Sequence, residues 1–195
     1  MSKGRIELIH GPMFSGKSTE LKRRINRYII PYKNIVIFKN KIDTRFDPDH
    51  VITHNKEILT NVIHILCSTI KEGFDKYLNT YGIPDIVGID EGQFFPDLVN
   101  TCESLANSDI IVIIAMLDGK WNRCPWIGNE ILKDHNYLPL YHIYSIADQS
   151  IKLYAFCNIC KKENAPFSKN IKSQNDVELG GSEKYMAVCR TCYYL

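Results

Sequence analysis

Gly11-Pro12-Met13-Phe14-Ser15-Gly16-Lys17-Ser18 decides the fold, because two glycines with four residues between them, followed by lysine and a hydroxyl, fit the G-x-x-x-x-G-K-[ST] pattern. Glycines at those positions let backbone N–H groups turn inward around phosphate oxygens. The helix that follows presents its positive N-terminal end to the same anion. Lys17 adds a point charge for the β- and γ-phosphates, and Ser18 offers a hydroxyl to Mg²⁺. The flanks supply the context that the loop requires. Arg5-Ile6-Glu7-Leu8-Ile9 alternates as a short strand, and Ser18 to about Ile30 reads as an amphipathic helix ended by Pro31. Leu21, Ile25 and Tyr28 share one face of that helix, and Ile35-Val36-Ile37-Phe38 reads as a buried strand.

Working outward, residues 40–56 are polar, contain Pro48 and read as a loop. A strand is expected at Val62–Leu66, a helix at Ser68–Tyr81, and an apolar strand from Asp85 that ends in Asp90-Glu91. A helix follows from Pro96 to about Asn107 with proline in its first turn, and Ile110 to Met116 reads as another buried strand. This alternation predicts an α/β fold, a P-loop domain with a parallel sheet and helices on both faces. Near residue 150 the buried runs give way to cysteines and a polar, glycine-bearing segment. The expected division is therefore residues 1–150, an ATP-binding α/β domain, and residues 151–195, a small metal-binding domain.

Asp90 and Glu91 sit where a strand-end acid would serve Mg²⁺, facing the ligand crevice at the carboxyl ends of the strands. One acid can hold the metal through water and the other can take a proton from an attacking hydroxyl; pattern alone leaves the division between them open. Cys157-x2-Cys160 and Cys189-x2-Cys192, separated by 28 residues, have the spacing of two knuckles that together close a tetrahedral Zn²⁺ site. An all-thiolate site with no open position is structural. Cys67, Cys102 and Cys124 read as plain core or surface residues.

The net charge is +2, from 24 Lys and Arg against 22 Asp and Glu, which gives no basic stripe for nucleic acid. The longest apolar stretch, Ile110 to Leu117, is too short to span a bilayer, and the charged opening Met1-Ser2-Lys3-Gly4-Arg5 predicts no secretory leader. A cytoplasmic protein with neither a membrane nor a nucleic-acid partner is expected.

Taken together these motifs resemble the thymidine kinases of the cellular and poxviral type. The resemblance is carried by Gly11 to Thr19, by Asp90-Glu91-Gly92-Gln93-Phe94-Phe95-Pro96-Asp97, by Leu117-Asp118-Gly119, by both cysteine knuckles and by Gly180-Gly181-Ser182-Glu183-Lys184-Tyr185, in order from about residue 4 to residue 193. It implies a RecA-like ATP-binding domain, a zinc-ribbon domain with a lasso loop, and transfer of the ATP γ-phosphate to the 5′-hydroxyl of thymidine. It assigns Glu91 as general base, with Lys17 and Arg45 also catalytic. It puts Asp43-Thr44-Arg45, Asp90, Gly92 and Gln93 on the ATP and Mg²⁺ side. For the nucleoside it points to Met13, Leu117, Trp121, Trp126, Ser168 and Tyr185, and to the lasso backbone of Asp176, Val177, Glu178, Leu179 and Gly180. A homotetramer and feedback inhibition by thymidine triphosphate (dTTP) are further implications.

The chain departs from that pattern at Trp121 and Trp126, where phenylalanine is expected, and at Ser168, where threonine is expected. Residues 129–146 are longer than the pattern, and Tyr137, Tyr141 and Tyr144 there are expected to serve packing or a subunit contact. The alternative readings are a deoxynucleoside kinase of broader specificity and a nucleic-acid-dependent ATPase.

Overall fold

The computed structural model describes residues 4–32, 34–42, 62–127, 137–172 and 180–195. Six strands form one sheet: β1 (Arg5–Gly11), β2 (Ile35–Asn40), β3 (Val62–Cys67), β4 (Ile86–Asp90), β5 (Ile111–Leu117) and β6 (Gln149–Lys152), in the order β3-β2-β4-β5-β1-β6. Every ladder within it is parallel. Strands covered on both faces need no polar alternation, which is why β5 is apolar from Ile111 to Leu117 and β4 carries no polar side chain before Asp90.

Successive side chains leave opposite faces of a strand, so Leu8 and Ile9 of β1 feed two different cores. On one face α1 (Lys17–Tyr28) packs Leu21 and Ile25 against Ile9, Ile37, Ile86 and Ile113. On the other, α2 (Ile70–Tyr81) and α3 (Leu98–Asn107) bring Ile70, Tyr77, Leu98 and Cys102 onto Leu8, Phe38, Val87 and Ile114. Burying one such Ile or Leu contributes about 1.5–3 kcal/mol.

The start of α2 is closed by two carboxylates. Thr69 Oγ1 accepts from the Glu72 N–H at 3.1 Å, and the Glu72 carboxylate accepts from the Ser68 N–H at 2.7 Å. Asp97, buried, accepts from the N–H groups of Ile70 and Lys71, both at 2.9 Å. The helix α3 begins at Leu98, after a 3-10 turn over Gly92–Phe94, so Pro96 precedes the helix and does not sit in its first turn.

The strand β6 runs across residue 150. It pairs with β1 from Glu7↔Gln149 to His10↔Lys152, so the sheet continues past the expected division. Just before it, a 3-10 turn over Leu140–His142 leads into α4 (Ile143–Ile146). Leu140 and Ile143 enter the main core, and Tyr144 meets the His10 ring edge-on at 5.0 Å. The described part of the 129–146 stretch is thus packed on the sheet; residues 128–136 lie outside the described residues.

The last part holds two small antiparallel pairs, β7 (Ala155–Phe156) with β8 (Asn164–Ala165) and β9 (Phe167–Asn170) with β10 (Tyr185–Val188), then α5 (Arg190–Tyr193). Their core is Ala155, Ala165, Ala187, Val188 and the cysteines. Among the described residues no helix is long and apolar enough to cross a membrane.

Candidate active site

The phosphate loop connects the end of β1 to the start of α1. Gly16 has φ +81°, the left-handed region that lets the chain turn into the helix. Gly11 has φ +150°, and a Cβ there would lie 2.3 Å from the Leu153 carbonyl oxygen, so no side chain fits. Phe14 also has a left-handed backbone, φ +64°, which costs about 1–3 kcal/mol for a residue that is not glycine. Inside the loop, the Lys17 ammonium donates to the Pro12 carbonyl at 2.6 Å and the Ser15 hydroxyl donates to the same oxygen at 2.8 Å.

The two acids at the end of β4 point to different tasks. Asp90 Oδ1 accepts from the Ser18 hydroxyl at 2.8 Å. Its other oxygen, Oδ2, lies 3.5 Å from the Lys39 ammonium, whose residue is its register neighbour on β2. Two hard oxygen ligands, a hydroxyl and a carboxylate, therefore stand together beside the phosphate loop, a donor set that fits Mg²⁺. Glu91 turns away through a left-handed backbone, φ +54°. Its carboxylate accepts from Gln93 Nε2 at 2.6 Å, and Gln93 Oε1 accepts from the Leu117 N–H at 2.9 Å. Gln93 thus braces Glu91 against the end of β5.

A cavity of about 220 Å³ joins these parts. Gly16, Lys17, Ser18 and Thr19 line its phosphate end, and Glu91 and Gln93 line the wall beside it. Met13, Phe94, Leu117, Trp121 and Trp126 make it apolar, while Ser168, Gly180 and Tyr185 enter from the cysteine-bearing part of the chain. Trp126 stands edge-on to Phe94 at 6.1 Å, and its buried indole N–H has no hydrogen-bond partner among the described residues. Trp121 is held by α5, because its carbonyl accepts from the Tyr193 hydroxyl at 2.8 Å. The Arg123 guanidinium lies 4.5 Å from the centre of the Tyr193 ring, a second clasp between the same segments. The Met13 N–H donates to Ser168 Oγ at 2.9 Å, which ties the phosphate loop itself to β9.

A family model described as thymidine kinase matches residues 4–193. Thymidine kinase 1 of Dictyostelium discoideum is 41% identical over 195 residues, spanning 97% of this chain and 78% of that protein. The thymidine kinase of monkeypox virus is 42% identical over 195 residues, with 99% of this chain and 98% of the viral protein covered. That of vaccinia virus (strain Western Reserve) is 41% identical over 194 residues, at 99% and 98%.

The chain belongs to the thymidine kinase family.

In this thymidine kinase family member the four knuckle cysteines come together as well. The sulfurs of Cys157, Cys160, Cys189 and Cys192 all lie within 4.8 Å of one another. A tetrahedral Zn²⁺ with Zn–S bonds of about 2.3 Å requires S···S spacings of about 3.8 Å, so the cluster fits that metal. Burial raises the Cys157 thiol pKa, but the N–H groups of Cys189, Cys160 and Ile159 outweigh it and bring the pKa down to about 6. A metal ion binds the thiolate form, which these N–H groups favour at Cys157.

Several contributors were not singled out from sequence. Phe94 and Thr19 carry no signal of their own beyond the motifs they stand in, and both line the cavity. Lys39 reaches Asp90 only because β2 and β4, not consecutive in the chain, are neighbours in the sheet. Lys120 is 6% exposed and lines the cavity; burial of a lysine has no signature in a single sequence. Asp43, Thr44, Arg45, Asp176, Val177, Glu178 and Leu179 lie outside the described residues.

Proposed function

We infer that this thymidine kinase family chain transfers the γ-phosphate of ATP to the 5′-hydroxyl of thymidine, giving thymidine monophosphate and ADP. The observation that carries the reading is a single cavity shared by the phosphate loop, the Glu91 carboxylate and an apolar aromatic wall.

In the proposed reaction the ATP phosphates lie in the loop Gly11 to Ser18, with Lys17 leaving the Pro12 carbonyl for the β- and γ-phosphate oxygens. Glu91, braced by Gln93, accepts the proton of the 5′-hydroxyl as its oxygen bonds to the γ-phosphorus and the bond to the β-phosphate oxygen breaks. Ser18 and Asp90 hold Mg²⁺, which neutralises charge on the phosphates when bound. We assign Asp43, Thr44, Gly92 and Gln93 to the nucleotide and metal side. Arg45 stabilises charge on the group in transfer.

Met13, Leu117, Trp121, Trp126, Ser168 and Tyr185 form the thymidine pocket, closed by the lasso backbone from Asp176 to Gly180. Backbone groups reading the base edge discriminate well, because a wrong base leaves them unpaired. Zn²⁺ on the four cysteines is structural and holds the lasso in place. We divide the chain at residues 1–150 and 151–195, with β6 lending its far end to the sheet. A cytoplasmic homotetramer inhibited by dTTP completes the reading, on family grounds.

The test is Glu91→Gln, which keeps the shape and removes the base. Turnover with thymidine should fall at least ~10²-fold while thymidine binding, followed by calorimetry, survives. Near-normal turnover would remove Glu91 from the mechanism.

A further inference from the structure

We propose that Lys39 is the resident counter-ion of Asp90, holding its charge until nucleotide arrives, so that a divalent cation enters the site with ATP and not ahead of it. The inference rests on the reading of Ser18 and Asp90 as the metal side of the site.

Lys39 and Asp90 are register partners on the neighbouring parallel strands β2 and β4, so their side chains leave the same face of the sheet. The Lys39 ammonium stands 3.5 Å from Asp90 Oδ2, with the two side chains 17% and 9% exposed. The other oxygen, Oδ1, accepts from the Ser18 hydroxyl at 2.8 Å and from the Glu91 N–H at 3.2 Å. The carboxylate is therefore answered at both oxygens, by a full positive charge at one and by two neutral donors at the other. A carboxylate so deeply buried is costly unless a cation pairs with it. Lys39 supplies that cation from within the chain.

A divalent cation on Ser18 and Asp90 would share the carboxylate with the ammonium. Like charges in a partly buried site repel far more strongly than in water. The metal alone thus meets a carboxylate already neutralised and a cation that opposes it. ATP changes this, because its triphosphate brings several negative charges to the loop beside Ser18. Those charges answer the metal and the ammonium together. Metal and nucleotide then each favour the binding of the other, as linkage requires.

The competing role is a brace, in which Lys39 merely turns Asp90 Oδ1 toward the metal. The two roles predict opposite signs. Removing a brace loosens the metal, whereas removing a counter-ion tightens it. Lys39→Met keeps the stem and removes the charge, Lys39→Arg keeps the charge, and Lys39→Gln replaces the methionine variant should that one fail to fold. With the cysteine site filled with Zn²⁺, Mn²⁺ alone is titrated into the nucleotide-free chain as a paramagnetic stand-in for Mg²⁺, and the free ion is read by electron paramagnetic resonance. Lys39→Met should bind Mn²⁺ at least ~10-fold more tightly than the wild type, and Lys39→Arg should bind it as the wild type does. Adding Asp90→Asn to Lys39→Met should abolish the gain. An affinity in Lys39→Met equal to or weaker than that of the wild type, or a gain that survives Asp90→Asn, overturns the proposal. Calorimetry of ATP binding to the wild type, with and without Mn²⁺, tests the underlying reading separately. No difference between the two would withdraw the metal from Ser18 and Asp90 altogether; failure of the variants with that difference intact would withdraw the counter-ion alone.

Discussion

The backbone N–H of Met13, in the phosphate loop, donates to the hydroxyl of Ser168, on β9, at 2.9 Å. One residue of the phosphate loop is thereby held by β9, and both residues line the cavity. Ser168→Ala removes the acceptor and leaves a partly buried N–H unpaired, a loss of about 1 kcal/mol. The KM for thymidine should rise roughly fivefold, the same energy expressed as a ratio. Ser168→Thr restores the hydroxyl and should recover most of the loss. A KM in Ser168→Ala equal to that of the wild type would show the contact to be incidental.

Asp97 joins α2 and α3 through hydrogen bonds to the Ile70 and Lys71 N–H groups and the Thr101 hydroxyl. A buried carboxylate at a helix N-terminus is favourable both as a cap and against the helix dipole. Asp97→Ala should therefore destabilise the chain by about 2–3 kcal/mol, a drop in Tm of roughly 5–10 °C for a chain of this length. Thermal unfolding checks this; a shift below one degree would mean that the helix start is held elsewhere.

The cysteine cluster predicts one Zn²⁺ per chain by elemental analysis. In Cys157→Ser the metal content should fall, stability should drop by about 3 kcal/mol or more, and the KM for thymidine should rise because β9 and β10 frame the metal site. Full activity in metal-free protein would dismiss a structural metal.

His64, on the edge strand β3, has its pKa lowered to about 4, by burial first and then by Lys39 and Lys22, against a partial pull from Asp90. The unfolded chain takes up a proton near the ordinary value of 6.5, whereas the folded chain resists it. Between those two values the unfolded state binds more protons, so stability is lost as pH falls from about 6.5 to about 4 and levels off below. The full effect is at most about 3 kcal/mol. Urea unfolding of His64→Leu should show a flatter pH dependence across that window than the wild type. Parallel curves for the two proteins would relieve His64 of this role.

Much of this was legible in the chain itself. Alternation located β1, the glycine spacing and an amphipathic face located α1, and apolar runs located β2, β4 and β5, since the middle of a strand buried on both faces is apolar. The strand β6 escaped for the opposite reason. Gln149, Ser150 and Ile151 are exposed, because an edge strand paired, among the described residues, with β1 alone needs no apolar run. At the site, residue types suggested the phosphate loop, the acids and the cysteines. What they could not convey were relations between distant strands. Lys39 meets Asp90 through sheet order, and the Asp90 and Glu91 carboxylates take different partners across a left-handed backbone at Glu91 that no residue preference announces. Lys120 escaped because a lysine after a strand ordinarily faces water.

The Leu153 carbonyl that leaves no room for a side chain at Gly11 belongs to the segment linking β6 to Cys157, and the Leu153 N–H in turn donates to the His10 carbonyl at 2.8 Å. The chain therefore threads from the floor of the phosphate loop to the first thiolate in four residues. Cutting it at 150/151 would split a strand of four residues in half and free the floor of the loop along with the cysteines. The two parts are better regarded as one machine with a common hinge pin than as a motor and a detachable tool, and attempts to transplant the cysteine-bearing part alone should carry β6 with it.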